Sequence, residues 1–482
     1  MLGKQDGAND FFSSYVEQRL LPKKHELLEI DAVINFSFVE EEVGDLYCSD
    51  NGRPSYPPQQ MFRILFLEYY YNLSDVEVVK QLQVNILFRR FVGLSLEDGV
   101  PDDSSLCVFR VRLGEDRFQR LFSRLTEQCK KQGLIGDQLK VIDATHVVAD
   151  IAVPNMINML RDGRGRILKK IKERYGPEED LARFHPNKGE CHRYSKEQLV
   201  EEVQQTREFL DLIEDGYEVA EQERKLLREA IDPGRKRTLA SFVDPDARAG
   251  HTSSRNLFVG YKVHVSQDST SQLVTSLDVL PGNANEGKVD HTKRLLQRDQ
   301  QQGVHHRAVV ADSLYDNRKN YDVIWKQQMK AYIPSRRKNR RADNFHYEPQ
   351  TDQLICRQGK RSIGKVQRSD GDIYRFSVTD CRRCNLRGCK KGVKGQVNIY
   401  LSEGEKARRT IPACEMAQLM NERKKVERKF GQAKRHHGLS RTRYRCRWRM
   451  AIQALMTFFV INAKRMIKLL TEQSKEPSPA PI

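Results

Sequence analysis

The stretch LKVIDATHVVAD (139–150) constrains this chain's fold more than any other. Its β-branched and apolar residues predict a strand, yet an aspartate stands inside it. Aspartate is depleted in strands, and its charge is costly beside apolar neighbours unless it is paired or bound to a cation. On a strand, Asp143 shares a face with Val141, Thr145 and Val147. Two β-rich runs joined by a polar turn (256–280) predict a hairpin, and residues 306–317 and 331–335 supply two further strands. Strands separated by helical stretches make an α/β fold. Asp312 closes the run AVVAD, where a buried strand would emerge. Alone, either aspartate reads as a turn former or helix cap. Together they are two carboxylates at strand positions, an arrangement that suits a divalent cation.

Helical patterns surround these strands. Residues 1–135 read as an all-helical N-terminal domain, including a helix over 57–73 that opens with prolines. A second helix is expected after an N-cap at Asp103, Ser104 or Ser105, and a third over 115–133, stopped by Gly133. Such a domain fits DNA-end binding or simple packing, and the sequence leaves both open. A helical insertion is expected over about 155–250, with 195–216 its clearest piece, and a basic, cysteine-bearing insertion over about 336–410. A catalytic domain would then span 136–470, and the Pro-rich tail 471–482 would be disordered.

The charge is uneven. The chain carries a formal net charge of +18, but residues 1–50 hold four Lys or Arg against eleven acids, and 330–395 hold eighteen against six. A basic second half points to nucleic acid. From Arg423 to Arg449 there are twelve Lys or Arg and one acid, Glu427. A carboxylate among cations repels a polyanion unless a metal ion lies between them. On a helix, Arg423, Glu427 and Lys434 fall on one narrow face, with Leu419, Val426, Phe430 and Ala433 on an adjoining apolar face. The plainer alternative is an Arg–Glu surface pair, worth a few tenths of a kcal/mol.

These residues resemble the DDE transposases of bacterial insertion sequences. That family's third acid lies in a signature of Tyr, Arg, Glu and Lys. Arg423, Glu427 and Lys434 match its spacing, with Met420 where the signature has Tyr. The blocks GRPSYPP (52–58), PDDSSLCVFR (101–110), DPDAR (244–248) and GYKV (260–263) resemble the branch with an N-terminal helical domain. The resemblance implies a ribonuclease-H-like core and a catalytic triad of Asp143, Asp312 and Glu427 holding Mg²⁺ or Mn²⁺. It further implies cleavage at element ends, strand transfer into target DNA, and a homodimer on double-stranded DNA. Arg423 and Lys434 would hold phosphates. The alternatives are an inactive DNA-binding derivative and a metal-dependent nuclease without strand transfer. Asp150, Asp244, Asp246 and Asp316 compete for metal roles, Asp246 most seriously.

Cys356, Cys381, Cys384 and Cys389 fit the spacing of a structural Zn²⁺ site, against a reading as reduced cysteines in a small core. Cys48, Cys107, Cys129, Cys191, Cys414 and Cys446 are scattered and read as packing residues, and His436 and His437 as a solvated basic face. The N-terminal stretch lacks an apolar signal core, so a cytoplasmic, nucleoid-associated protein is expected. The apolar run 450–463 is short of the roughly 20 residues that span a bilayer, so it predicts a buried helix and no membrane.

Overall fold

A computed structural model describes residues 15, 19–48, 54–186, 193–214, 216–232, 239–252, 256–336, 344–384 and 397–474. The central sheet is built from β1 (Leu139–Val148), β2 (Arg248–His251), β3 (Leu257–Asp268), β4 (Val274–Pro281), β5 (Ala308–Val310) and β6 (Lys330–Tyr332). The order β4-β3-β1-β5-β6 has β3 antiparallel to both β1 and β4, while β5 and β6 run parallel to β1; β2 adds onto β3. This is a ribonuclease-H-like arrangement. Strands β1, β3, β4 and β5 form where the β-branched runs lie, the β3–β4 pair is the expected hairpin, and β2 (RAGH) lies outside the expected strands.

The two faces of the sheet bury different partners. Val141, Val147, Val263 and Val265 pack with Val426, Phe430 and Ala433 of the Lys424–His436 helix and with the Arg447–Gln473 helix. Ile142 and Val309 face Leu295, Leu296, Tyr321 and Ile324, from helices Val289–Gln301 and Arg318–Lys326. Asp143 thus points toward the Lys424–His436 helix, because side chains alternate along a strand. By length and composition Arg447–Gln473 could cross a bilayer, but 89% of its apolar window is buried inside the protein.

N-terminal helices pack on that same C-terminal helix. Phe62 and Phe66 of Pro58–Tyr71 meet Phe459 with ring centroids 5.1 and 6.1 Å apart. The cap of the next long helix is Asp102, one residue before the expected candidates, accepting from the Ser105 amide at 2.7 Å. The helices expected around 102–113 and 115–133 follow each other within Asp103–Lys131, separated at Gly114, whose φ of +62° is not helical. Glycine takes that left-handed backbone without a Cβ clash.

One insertion interrupts the sheet and a second follows its last strand. Between β1 and β2, helices Met156–Tyr175, Lys196–Leu212 and Glu221–Ile231 enclose their own core around Leu160, Ile167, Phe209 and Phe242. After β6, the hairpin of β7 (Phe345–Glu348) and β8 (Gln353–Cys356) joins a three-stranded sheet of β9 (Gly364–Arg368), β10 (Gly371–Arg375) and β11 (Asn398–Ser402). Tyr374, Leu354 and Leu401 fill its core.

The helical face expected to include Leu419 needs one correction. Leu419 packs beside Val310 and Tyr332, away from Val426 and Phe430. The helix breaks at a 3₁₀ turn, Asn421–Arg423, between Ala413–Met420 and Lys424–His436. A 3₁₀ turn has three residues per turn, so it rotates the face preceding it.

Candidate active site

Asp143 and Asp312 are brought together by strand register. Val141 of β1 pairs with Val310 of β5, and two residues further along each chain stand the two aspartates. Asp312 lies just past β5, where its side chain accepts from the Leu314 amide at 2.8 Å and caps a short 3₁₀ turn. The expected cap role and the shared position thus coexist in one residue.

Glu427 reaches the same place from the Lys424–His436 helix. Arg423 ties the acids together: its Nε donates to Asp143 at 3.1 Å and its Nη2 to Glu427 at 3.4 Å. Asp143, Asp312, Arg423, Glu427 and Lys434 all line one cleft of about 1040 Å³. Asp143 is buried, whereas the Glu427 side chain is 57% exposed and so can meet a ligand entering from solvent.

Electrostatics follow from this placement. Burial pushes the Asp143 carboxyl up to about 6; Arg423 and the Ala144 amide oppose the rise, and Asp312 adds to it. Burial lowers the Lys434 ammonium below its ordinary value. Burial also lowers Arg423, but Asp143 beside it outweighs this and the net direction is upward. Three carboxylates lining one polar cleft fit a hard divalent cation, which prefers oxygen ligands, although their oxygens do not all lie within 4.8 Å of one another. Asp143, Asp312 and Glu427 would be the residues to hold it.

Asp150 and Asp316 are engaged elsewhere, whereas Asp244 and Asp246 bring oxygens within 4.8 Å of each other and of the Cys446 sulfur, a grouping with metal-ligand spacing among the described residues. Asp244 accepts from the Tyr261 hydroxyl at 2.6 Å and the Cys446 amide at 3.2 Å, and Asp246 accepts from the Arg447 amide at 3.0 Å. Both fix the start of the Arg447–Gln473 helix, where backbone N–H groups lack partners. Asp316 accepts from Tyr321 at 2.5 Å and the Arg336 amide at 2.8 Å, and exposed Asp150 pairs with Arg441 at 3.3 Å. Glu422, the other acid of the basic stretch, binds Lys425 at 2.5 Å and Ser269.

Several expectations change. His437 is buried, its Nδ1 2.8 Å from the Tyr69 carbonyl, so it fastens the N-terminal helices instead of facing solvent; His436 is exposed. Cys129 is buried as expected, but Cys48, Cys107 and Cys414 are exposed. Cys446 lies beside Asp244 and Asp246. Cys356 and Cys381 pack against the insertion core, and Cys384 is half-buried. Among the described residues these three cysteines form no set with all sulfurs within 4.8 Å; Cys389 and Cys191 lie outside the described residues.

Two cleft residues escaped the sequence reading. Lys262 on β3 and Glu286 in the β4–helix loop line the same wall and pair at 3.2 Å. The signals were present: a charged residue inside a strand at Lys262, and a carboxylate just past a strand end at Glu286.

The sequence pattern of the family described as Transposase DDE domain matches residues 233–463, and that of the Transposase domain (DUF772) matches residues 15–112. The chain belongs to the DDE transposases. A DDE transposase cuts DNA and transfers the cut strand, using divalent metal ions, so DNA is this protein's substrate. Among solved structures, that of the piggyBac transposase synaptic complex with hairpin DNA is similar at 12% identity, covering 96% of this chain and 84% of that chain, with a TM-score of 0.32.

Proposed function

We propose that Asp143, Asp312 and Glu427 are the catalytic acids of this DNA transposase, and that the ion they hold is Mg²⁺ or Mn²⁺. The observation carrying the reading is the single cleft lined by all three acids with Arg423 and Lys434. When bound, the divalent ions lower the pKa of an attacking water or DNA 3′-hydroxyl and offset charge on the leaving oxygen. The chain's residues do the rest. Arg423 can turn from Asp143 and Glu427 to grip a phosphate through two N–H groups, and Lys434, further along the same helix, offers a point charge to the cleft. Half-exposed Glu427 closes the ligand set from the helix, while buried Asp143 fixes it to the sheet. One site thereby serves nicking at an element end and joining of the freed 3′-hydroxyl to target DNA. Joining two ends calls for two such sites, so a homodimer on double-stranded DNA is the working unit.

A structural Zn²⁺ on Cys356, Cys381, Cys384 and Cys389 is the metal reading of the cysteine-bearing insertion, and it requires the Cys356, Cys381 and Cys384 sulfurs to close to ligand range on binding. The deciding experiment compares Glu427→Gln with Lys434→Ala on one labelled element end. Glu427→Gln should lower cleavage and joining by orders of magnitude and leave end affinity equal or slightly higher. Lys434→Ala should weaken binding and reduce its salt slope by about one. Normal cleavage by Glu427→Gln, with weakened binding, would make Glu427 a structural ion-pair partner and defeat the proposal.

A further inference from the structure

The loop after β4 brings a fourth carboxylate to the cleft. It is packed tightly against the turn that carries Asp312: a Cβ on Gly287 would run into the Leu314 carbonyl oxygen. Asn317 and Asn320 each donate to the Gly287 carbonyl at 2.8 Å, fastening the loop from the other side. Glu286, the preceding residue, is therefore fixed beside Asp312, and its side chain is only 13% exposed. It points into the cleft that holds Asp143, Asp312 and Glu427. Its charge is met by Lys262, whose Nζ lies 3.2 Å from the carboxylate and 3.0 Å from the Ala284 carbonyl.

Charge balance gives this residue a task. The three acids lose one negative charge to Arg423, leaving too little to match two divalent cations. A nearly buried carboxylate lining the same cleft supplies the missing charge once its side chain leaves Lys262. Lys262 has a use in the same exchange, since a phosphate entering the cleft offers it a replacement partner.

We propose that Glu286 is a fourth carboxylate ligand of the divalent-metal site, with Lys262 as the counter-ion that it leaves when the cation binds. This inference rests on the three-acid reading above. Had Glu286 only a structural role, it and Lys262 would behave as two halves of one ion pair. As a ligand and its competitor, they should shift metal affinity in opposite directions.

The test measures Mn²⁺ binding to the full-length protein without DNA, by isothermal titration calorimetry, for wild type, Glu286→Gln, Lys262→Met and Asp312→Asn. Glu286→Gln should weaken Mn²⁺ binding about tenfold or more, and Lys262→Met should tighten it, because a competing positive charge is gone. Unchanged affinity in Glu286→Gln alongside a loss in Asp312→Asn overturns this inference alone. Unchanged affinity in Asp312→Asn removes the three-acid reading and this inference with it. A second measurement needs no variant: Fe²⁺ with ascorbate, bound to wild-type protein, should cut the backbone near residue 286 as well as near 143 and 312, and excess Mg²⁺ should suppress the cuts. Cuts near 143 and 312 without one near 286 would count against Glu286.

Discussion

Replacing Asp143 by Asn separates the cost of the site from its use. Asp143 is 7% exposed, and burial lifts its carboxyl from an ordinary 3.8 to about 6 despite Arg423. The folded protein therefore binds this proton more tightly than the unfolded chain does. The contribution is fully present below about pH 4 and is lost as the pH rises through about 6. Holding the ionised form at pH 8 then costs about 3 kcal/mol. Asn keeps the shape without the charge, so Asp143→Asn should raise stability at pH 8 by about 1–3 kcal/mol, the lower figure allowing for Arg423 losing its charged partner. At pH 4 the gain should vanish. The assay is denaturant and thermal unfolding at both pH values, with chelator present and again with saturating Mg²⁺. Added Mg²⁺ should reverse the order, since an ion bound only by the folded state stabilises wild type by about 4.1 kcal/mol at about a thousand times its Kd. Strand cleavage should be lost in the variant throughout. Lower stability of Asp143→Asn at pH 8 in chelator, or a difference independent of pH, would refute the reasoning.

Gly287→Ala should push the loop from the Leu314 carbonyl, lowering the melting temperature and weakening metal binding and cleavage together. Arg443→Met tests how the N-terminal helices are fastened. Its guanidinium lies 2.7 Å from Glu68, which is 1% exposed and which burial raises to about 7. Arg110 and the Tyr444 hydroxyl, each 3.2 Å from Glu68, remain, so losing one of its two cations should cost about 1.5–3 kcal/mol in denaturant unfolding, with partial recovery in the Glu68→Gln, Arg443→Met double variant. Elemental analysis of protein purified without chelator should find about one zinc per chain, and Cys381→Ser should abolish it.

Local pattern carried much of this protein. A β-branched run interrupted by aspartate predicts both a strand and a buried carboxylate that needs a partner, and β1 is that strand. The i,i+4 spacing of Arg423 and Glu427 fixes their common helical face, because a helix repeats every 3.6 residues whatever surrounds it. Tertiary structure decided what the period could not. Asp143 and Asp312 stand side by side through parallel pairing of β1 with β5, a contact across more than 150 residues that no local spacing encodes. Asp244 and Asp246 are two residues apart in the sequence, but only the start of a helix some 200 residues later brings Cys446 beside them and takes up part of their hydrogen bonding. Leu419 left the expected face through one 3₁₀ turn, and His437 became buried because the Tyr69 carbonyl comes to meet it. Glu286 sits in the loop PGNANEGK, which has no periodicity to read; only the close approach of the Gly287 backbone to Leu314 brings it beside Asp312. Periodicity is a property of neighbours in the chain, whereas a site depends on which distant backbones can touch.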